Sequence, residues 1–135
     1  MKRLHLDANV ILRFLRNDEP VQSAQARQLF TRAERRELDL AVSVLTLAEA
    51  FYALRASYKI PRPAAARLLA NLLQTGIFLV EKEPLVLDAL ERVESKNVDF
   101  GDAMLAAEAF AEGVAIASFD LDFKRFKEVK LHSWD

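Results

Sequence analysis

Cysteine is absent from the 135-residue chain, and glycine and proline are scarce, with three and four residues. Without cysteine, a disulfide framework and a thiolate metal site are both excluded. So few glycines and prolines argue against linkers and low-complexity segments. The chain also lacks a glycine-rich phosphate loop, which argues against nucleoside-triphosphate chemistry. The length then predicts one domain spanning residues 1–135.

A long hydrophobic run is also missing. The longest segment without a charged residue, residues 68–80, has 13 residues and contains polar side chains. A membrane-spanning helix needs about 18 or more apolar residues. At the N-terminus, Asp7 comes before any signal-peptide core could form. We therefore expect a cytoplasmic protein that does not enter a membrane.

Neither sign of charge dominates, because 19 basic and 20 acidic residues give a net charge of −1. A strongly basic nucleic-acid surface across the whole chain is therefore excluded. The distribution is uneven: residues 1–36 carry eight basic and four acidic side chains, and residues 68–135 carry seven and thirteen. The first part suits contact with phosphate groups, and the second has an acidic excess that a cation could offset.

Short apolar segments alternate with helical patterns along the chain. The predicted strands are residues 3–7, 38–43, 77–81 and 114–118, with a short edge strand at 129–131. The predicted helices between them include residues 46–58, 84–94 and 102–112. This alternation predicts an α/β fold, specifically a three-layer α/β/α sandwich around a mostly parallel central sheet.

Four acidic residues stand out by position. Asp7 closes the first predicted strand and Asp120 follows the fourth, and parallel sheets bind ligands beyond the carboxyl ends of their strands. Asp102 begins the helix that leads into the fourth strand. Glu49 is the only charged residue in the segment 41–53, on a helix whose pattern indicates burial nearly all round. An isolated charge there would be costly without a partner.

Each of these carboxylates also has a simple structural interpretation. Glu49 after Thr46 fits a capping box, and the other three fit a helix cap, a first helical turn or a loop turn. If they converge, they raise one another's pKa unless a positive charge lies among them. No histidine or lysine directly neighbours any of them, and oxygen ligands favour Mg²⁺ or Mn²⁺ as the counter-charge. Such a cluster activates water at a phosphodiester, which predicts a nuclease.

Four sequence motifs resemble the acidic motifs of the PIN-domain ribonucleases. They are DANVILRFL from Asp7, LTLAEAFYAL around Glu49, VDFGDAMLAA around Asp102 and ASFDLDF around Asp120. The motifs follow the family's order and spacing over residues 3–126. The chain's compact size is similar to that of the VapC-type toxins of toxin–antitoxin pairs.

The resemblance implies a metal-dependent endoribonuclease that leaves 5′-phosphate and 3′-hydroxyl ends. It implies one or two Mg²⁺ or Mn²⁺ ions, with hydroxide from a bound water attacking phosphorus. The implied catalytic and metal-binding residues are Asp7, Glu49, Asp102 and Asp120, with Asp7 and Asp102 the most direct ligands. The implied secondary residues are Asn9 and Ser118, which orient water or ligands, and the additional acids Asp99 and Asp122. The chain has Ala8 where many relatives have threonine, which affects only the surroundings of these acids.

The resemblance also implies partners: an RNA substrate, a second copy in a homodimer, and a cognate antitoxin that directs a basic side chain to the acidic site. Helices rich in alanine and leucine between residues 43 and 74 fit an apolar docking surface, or alternatively a thick monomeric core. Arg13 and Arg16 are candidates for contacting RNA, although exposed arginines are ordinary on a solvated helix.

The remaining aromatic and imidazole side chains are interpreted as structural. Phe119, Phe123 and Phe126 are spaced four and three residues apart, which favours packing over base stacking. His5 and His132 lack partners at metal-ligand spacing.

Two other functions remain open from the sequence. A receiver-like phosphoacceptor domain also gathers aspartates around Mg²⁺ at strand ends, but it needs a lysine after a late strand, where this chain has Phe119 and Asp120. A catalytically silent PIN-like module would only bind a partner protein. An uncompensated Glu49 argues against that second alternative, because a pure binder has no use for it.

Overall fold

The computed structural model describes residues 2–134, in which strands alternate with helices. The strands are β1 (Arg3–His5), β2 (Asp39–Val42) and β3 (Phe78–Val80). The helices are α1 (Ala8–Arg16), α2 (Pro20–Glu34), α3 (Val44–Ala56), α4 (Arg62–Leu73), α5 (Glu83–Lys96) and α6 (Phe100–Glu112), followed by a short 3₁₀ helix, Leu121–Arg125. None of the helices within the described residues is long and apolar enough to cross a membrane.

The three strands form a parallel sheet in the order β1-β2-β3. The register aligns Leu4 with Leu40 and Leu40 with Phe78, and these side chains lie on the face that packs into the core. The next row, which contains Ala41 and Leu79, lies on the opposite face, where Leu79 is 44% exposed. The α/β class and the parallel sheet predicted from the sequence are confirmed.

The polar residues between strands and helices set where the helices begin. At α1, the Asp7 carboxylate accepts a hydrogen bond of 3.2 Å from the backbone N–H of Asn9. At α3, the Ser43 hydroxyl accepts a 3.1 Å bond from the N–H of Thr46. Because Ser43 is the N-cap, the interpretation of Glu49 as part of a capping box with Thr46 is wrong.

The predicted strand 114–118 is wrong over most of its length. Within the described residues it is reduced to one parallel bridge between Ile116 and Leu131. The Ile116 N–H donates to the Lys130 carbonyl at 2.9 Å, and the Ile116 carbonyl accepts from the His132 N–H at 2.7 Å. Val114 is half exposed, and only Ile116 in this segment is buried. The alanine-rich sequence offers too little apolar bulk for a strand buried on both faces.

The apolar stripe predicted on α3 is confirmed, but the helix is not buried all round. Leu47 and Leu54 are fully buried, and Phe51 packs against Phe100 of α6 with ring centroids 6.1 Å apart. On the other side of α3, Tyr52 is 72% exposed. The expectation that the helix is enclosed, and Glu49 with it, is therefore wrong, since one face of α3 is open to solvent.

A buried arginine ties the segment after the 3₁₀ helix to α5. Arg92 is 9% exposed and forms ion pairs with Asp88, at 3.2 Å, and with Glu128. Its guanidinium also lies 5.5 Å from the ring centroids of Phe110 and Phe126. Paired charges with aromatic neighbours make this burial tolerable, and removal of one partner would leave an uncompensated charge.

The predicted packing role holds for two of three phenylalanines. Phe123 and Phe126 are buried, with 4% and 1% of their surface exposed. Phe119 is 82% exposed, so the packing interpretation is wrong for this residue. Its ring stacks on the exposed ring of Trp134, with centroids 4.5 Å apart, so it packs at the surface and not in the core.

We expect Phe100→Ala to lower the free energy of unfolding by roughly 3–5 kcal/mol, because it removes a fully packed aromatic ring. The control is Val21→Ala, which truncates an exposed apolar side chain on α2 and is expected to change stability by less than about 0.5 kcal/mol. Urea denaturation followed by circular dichroism measures both values. Equal losses for the two variants would contradict the assignment of Phe100 to the core.

Candidate metal centre

Three carboxylates converge where the start of α6 meets the 3₁₀ helix. Asp102, Asp120 and Asp122 each offer a carboxylate oxygen, and these oxygens all lie within 4.8 Å of one another. Asp102 comes from the first turn of α6, whereas Asp120 caps the 3₁₀ helix and Asp122 lies in its first turn. Residues from two separate segments therefore form one acidic group, called here the aspartate triad.

Short-range hydrogen bonds fix the loop half of the triad. The Ser118 hydroxyl accepts a 3.0 Å bond from the backbone N–H of Asp120. The Asp120 carboxylate in turn accepts a 2.9 Å bond from the N–H of Asp122. Arg125 lies 3.7 Å from the Asp122 carboxylate in an exposed ion pair. Ser118 thus orients the backbone that carries Asp120, which gives it a local structural role beside the triad.

The electrostatics of the triad are those of crowded like charges. Partial burial and the neighbouring carboxylates of Asp120, Asp99 and Asp122 raise the pKa of Asp102 above its ordinary value. The positive charge of Arg62 acts in the opposite direction. Repulsion of this kind is relieved by protonation or by a cation placed among the carboxylates.

Arg62, which sequence reasoning missed, neutralises the fourth acid in this region. Its Nε donates to Asp99 Oδ1 at 2.9 Å and its Nη2 to Asp99 Oδ2 at 3.3 Å. Asp99 is the N-cap residue of α6, yet its side chain makes no capping bond because both oxygens face Arg62. The two residues are 37 positions apart, and nothing in the spacing or composition indicates this pair.

Asp7 lies outside the aspartate triad. It is exposed at the carboxyl end of β1, where it caps α1 through Asn9. The side of α1 that carries Asn9 and Arg13 lines a cavity of about 480 Å³ shared with α2. Asp7 therefore caps α1 and also lies where the sequence predicts it, at the end of the first strand.

Glu49 is exposed on α3 and also lies outside the triad. In the part of the chain that the structure describes, its carboxylate has no hydrogen-bond or ion-pair partner. One turn earlier, Thr46 donates to the carbonyl of Leu6 at 3.2 Å, which places the start of α3 beside the residue preceding Asp7. Residues three apart share a helix face, so Glu49 lies on the same face of α3 as Thr46, one turn further along the helix.

The start of α6 also adjoins α3. Ala48 and Tyr52, on either side of Glu49 in the sequence, line a cavity of about 370 Å³ together with Asp99 and Gly101. The Phe51–Phe100 contact lies beneath this cavity. The helix that carries Glu49 is thus the element that joins the end of β1 to the region of the triad.

The two arginines considered for RNA binding already have partners. Arg13 donates to Gln22 at 2.9 Å and to the Tyr58 hydroxyl at 3.0 Å, and Tyr58 donates to Asp18 at 2.7 Å. The bond to Asp18 raises the pKa of Tyr58, and the same bond lowers the pKa of Asp18. Arg16 is exposed and lies 5.4 Å from the centroid of the Tyr58 ring.

The aspartate triad fits a hard divalent cation. Its donors are carboxylate oxygens only, which suits Mg²⁺ or Mn²⁺ better than a softer metal. Burial and, after it, the charges of the neighbouring carboxylates raise the pKa of Asp102, and a bound cation would offset the second of these effects. The residues present therefore match the group that the sequence analysis expects.

Comparison with known proteins gives one family match. The family model described as PIN domain matches residues 4–129. No curated protein matches the sequence significantly. Among solved structures, the chain is similar to one in the crystal structure of VapBC2 from Rickettsia felis bound to a DNA fragment from their promoter, with 19% identity, full coverage of both chains and a TM-score of 0.37. A score this low carries no argument about function.

We expect Asp102→Asn to raise the melting temperature of the metal-free protein near neutral pH. The raised pKa means that folding disfavours the charged carboxylate, so ionised Asp102 destabilises the fold above that pKa. The advantage of asparagine should shrink as the pH falls and Asp102 takes up a proton. Thermal melts between pH 4 and 7.5 measure this effect.

The same melts with added Mg²⁺ provide a second readout. Mg²⁺ should stabilise the wild type and should stabilise Asp102→Asn much less, because the ion binds the folded state through these carboxylates. Glu91→Gln, an exposed acid on α5, is the matched control and should respond to Mg²⁺ like the wild type. An equal response of Asp102→Asn and wild type would argue against a cation at the triad.

Proposed function

Because the chain belongs to the PIN-domain family over residues 4–129, we propose that it is a Mg²⁺- or Mn²⁺-dependent endoribonuclease. The observation that carries the proposal is the aspartate triad, whose carboxylate oxygens lie within 4.8 Å of one another. The acidic motifs in the sequence also support it, since two of them, around Asp102 and Asp120, contain all three acids of this triad. RNA is proposed as the substrate because the motifs resemble those of PIN-domain ribonucleases.

The chain's own residues would have distinct tasks in this reaction. Asp102, Asp120 and Asp122 would hold a divalent ion, with Asp7 and Glu49 completing the acidic site from β1 and α3. When bound, the ion supplies a counter-charge to the phosphate and a water of lowered pKa. Ser118 keeps Asp120 oriented before any ligand arrives. Arg62 neutralises Asp99, so this additional acid adds less repulsion to the approach of RNA.

Arg16 is the better of the two arginine candidates for holding RNA. It is exposed and lies over the Tyr58 ring, and within residues 2–134 its guanidinium makes no hydrogen bond or ion pair, so its donors are available to a phosphate. Arg13 already donates hydrogen bonds to Gln22, Asp18 and Tyr58, so its guanidinium is engaged within the protein. We therefore assign phosphate contact to Arg16 and a supporting role to Arg13.

We further propose that the nuclease is the cytoplasmic toxin of a VapBC-type pair and acts as a homodimer. The resemblance of the motifs to VapC-type toxins is the main support. A groove of about 560 Å³ between α1, α2 and α4, lined by apolar residues such as Phe14, Phe30 and Leu72, fits an apolar segment of an antitoxin. The exposed Leu45 and Tyr52 on α3 offer an apolar contact for a second copy.

The alternatives predict different measurements. A receiver-like domain would take up phosphate from a small phosphodonor, and its family is not the one that matches this chain. A catalytically silent module would bind an antitoxin but leave RNA intact with every divalent ion. Cleavage assays with metal therefore separate the enzyme from both.

We expect Asp7→Asn and Asp120→Asn each to reduce RNA cleavage by at least about 100-fold, because each removes a charge that balances the ion. Both variants should fold normally, since asparagine caps a helix as well as aspartate does. Cleavage of total RNA and of defined oligonucleotides, with mapping of the 5′-phosphate and 3′-hydroxyl ends, measures the effect.

Asp39→Asn is the matched control, because it changes a carboxylate in β2 that is separate from the triad. Its activity should equal that of the wild type. Excess EDTA should abolish cleavage, and added Mn²⁺ or Mg²⁺ should restore it. Cleavage that persists in EDTA, or that is unchanged in both site variants, would refute the proposed function.

A further inference from the structure

Three ring side chains form an exposed row next to the aspartate triad. Phe119 is 82% exposed and directly precedes Asp120. Its ring stacks on Trp134 with centroids 4.5 Å apart and planes inclined by 21°. His132 then meets the Trp134 ring edge-on, with centroids 4.6 Å apart and planes at 87°. Phe119 is therefore backed on one face by an indole, while its other face is open.

The row is held in place by backbone contacts. The Trp134 Nε1 donates to the carbonyl of Ser118 at 3.1 Å. The His132 N–H donates to the carbonyl of Ile116 at 2.7 Å, so the segment that carries both rings runs alongside residues 116–118. A ring that is already fixed loses little conformational freedom when a ligand stacks on it. The arrangement is thus a preformed planar surface.

We propose that the open face of Phe119 stacks a nucleobase of single-stranded RNA whose phosphate lies at the aspartate triad, an inference that rests on the proposed function. Phe119 and Asp120 are consecutive residues, with Cα atoms about 3.8 Å apart, so a base stacked on Phe119 and a phosphate at the triad can belong to the same nucleotide or to adjacent ones. A base carries no charge and can lie beside carboxylates, whereas an acidic peptide would be repelled.

The nature of the surface favours a base over an apolar protein segment. Stacked rings present a flat π-face, and base–aromatic stacking contributes about 1–3 kcal/mol per base. A protein partner would instead need a broad aliphatic patch or groove, and the row offers only two stacked rings and a histidine edge. Stacking tolerates every base but requires that the base be unpaired. The row should therefore select unpaired RNA without reading its sequence.

Trp134 provides a direct readout, because it is the only tryptophan in the chain. Binding is measured with Mg²⁺ in an Asp7→Asn background, in which cleavage is expected to be at least about 100-fold slower. A mixed-sequence single-stranded oligoribonucleotide is titrated, and tryptophan emission and the fluorescence anisotropy of a labelled RNA are followed. Phe119→Ala should weaken binding by roughly 5- to 100-fold. Phe119→Leu should weaken it similarly, because it keeps apolar area but loses the ring, and Phe119→Tyr should retain affinity.

Two controls separate stacking from general effects. Leu121→Ala removes an exposed apolar side chain two residues away and should leave affinity unchanged. An oligonucleotide in which every base is replaced by an abasic site should bind the protein with native Phe119 and the Phe119→Ala variant with equal affinity, because it has no base to stack. Folding of each variant is checked by circular dichroism, and truncation at so exposed a position should not unfold the protein.

The outcomes discriminate between the two proposals. If the protein with native Asp7 cleaves RNA but Phe119→Ala and Phe119→Leu bind as well as the background, the stacking proposal is wrong and the nuclease stands. If Phe119→Leu binds like the background while Phe119→Ala does not, the surface is merely apolar, which also overturns the proposal. If emission responds to protein concentration and not to RNA, the row is a contact between copies. RNA binding that depends on the ring, without cleavage, would overturn the nuclease and retain the stacking surface.

Discussion

Repulsion among carboxylates is the constraint around which the aspartate triad and its surroundings are organised. Asp102, Asp120 and Asp122 each hold a carboxylate oxygen within 4.8 Å of the others, and partial burial together with these neighbouring charges raises the pKa of Asp102. Such a group persists only if the surrounding structure fixes its members independently. The packing of Phe51 on Phe100 fixes α6, and the hydrogen bonds around Ser118 fix the loop. Packing in the core therefore holds three carboxylates close together although their mutual repulsion opposes this arrangement.

The parts of the fold that were predictable from sequence are those governed by local patterns. The apolar stripe of α3 and the compact apolar segments that became β2 and β3 follow directly from side-chain periodicity. The segment 114–118 was mispredicted because its small residues match a buried strand in hydropathy but lack the bulk to exclude solvent. The burial of Glu49 was mispredicted for a related reason, since alanines on a helix face are compatible with either the core or the surface.

Local sequence patterns predicted only part of the candidate site. The ends of strands and helices indicated where Asp7, Asp102 and Asp120 would lie, because backbone topology decides that. Asp122 was predicted as an additional acid, but its meeting with Asp102, like the pairing of Arg62 with Asp99, depends on how distant segments pack, which no local pattern encodes. The exposure of Phe119 was missed because its spacing to Phe123 and Phe126 matches a helical face, whereas the chain turns at Asp120 before that face can form.

The order of the segments along the chain has a consequence for synthesis. Asp120 and Asp122 follow helices α1–α6 in the chain. Asp102, which precedes them, forms the triad only together with these two residues. A nascent polypeptide that is still shorter than 120 residues lacks two of the three carboxylates. The triad therefore forms only after helices α1–α6 have been synthesised, so the helical scaffold that positions Asp102 precedes the two loop carboxylates during synthesis.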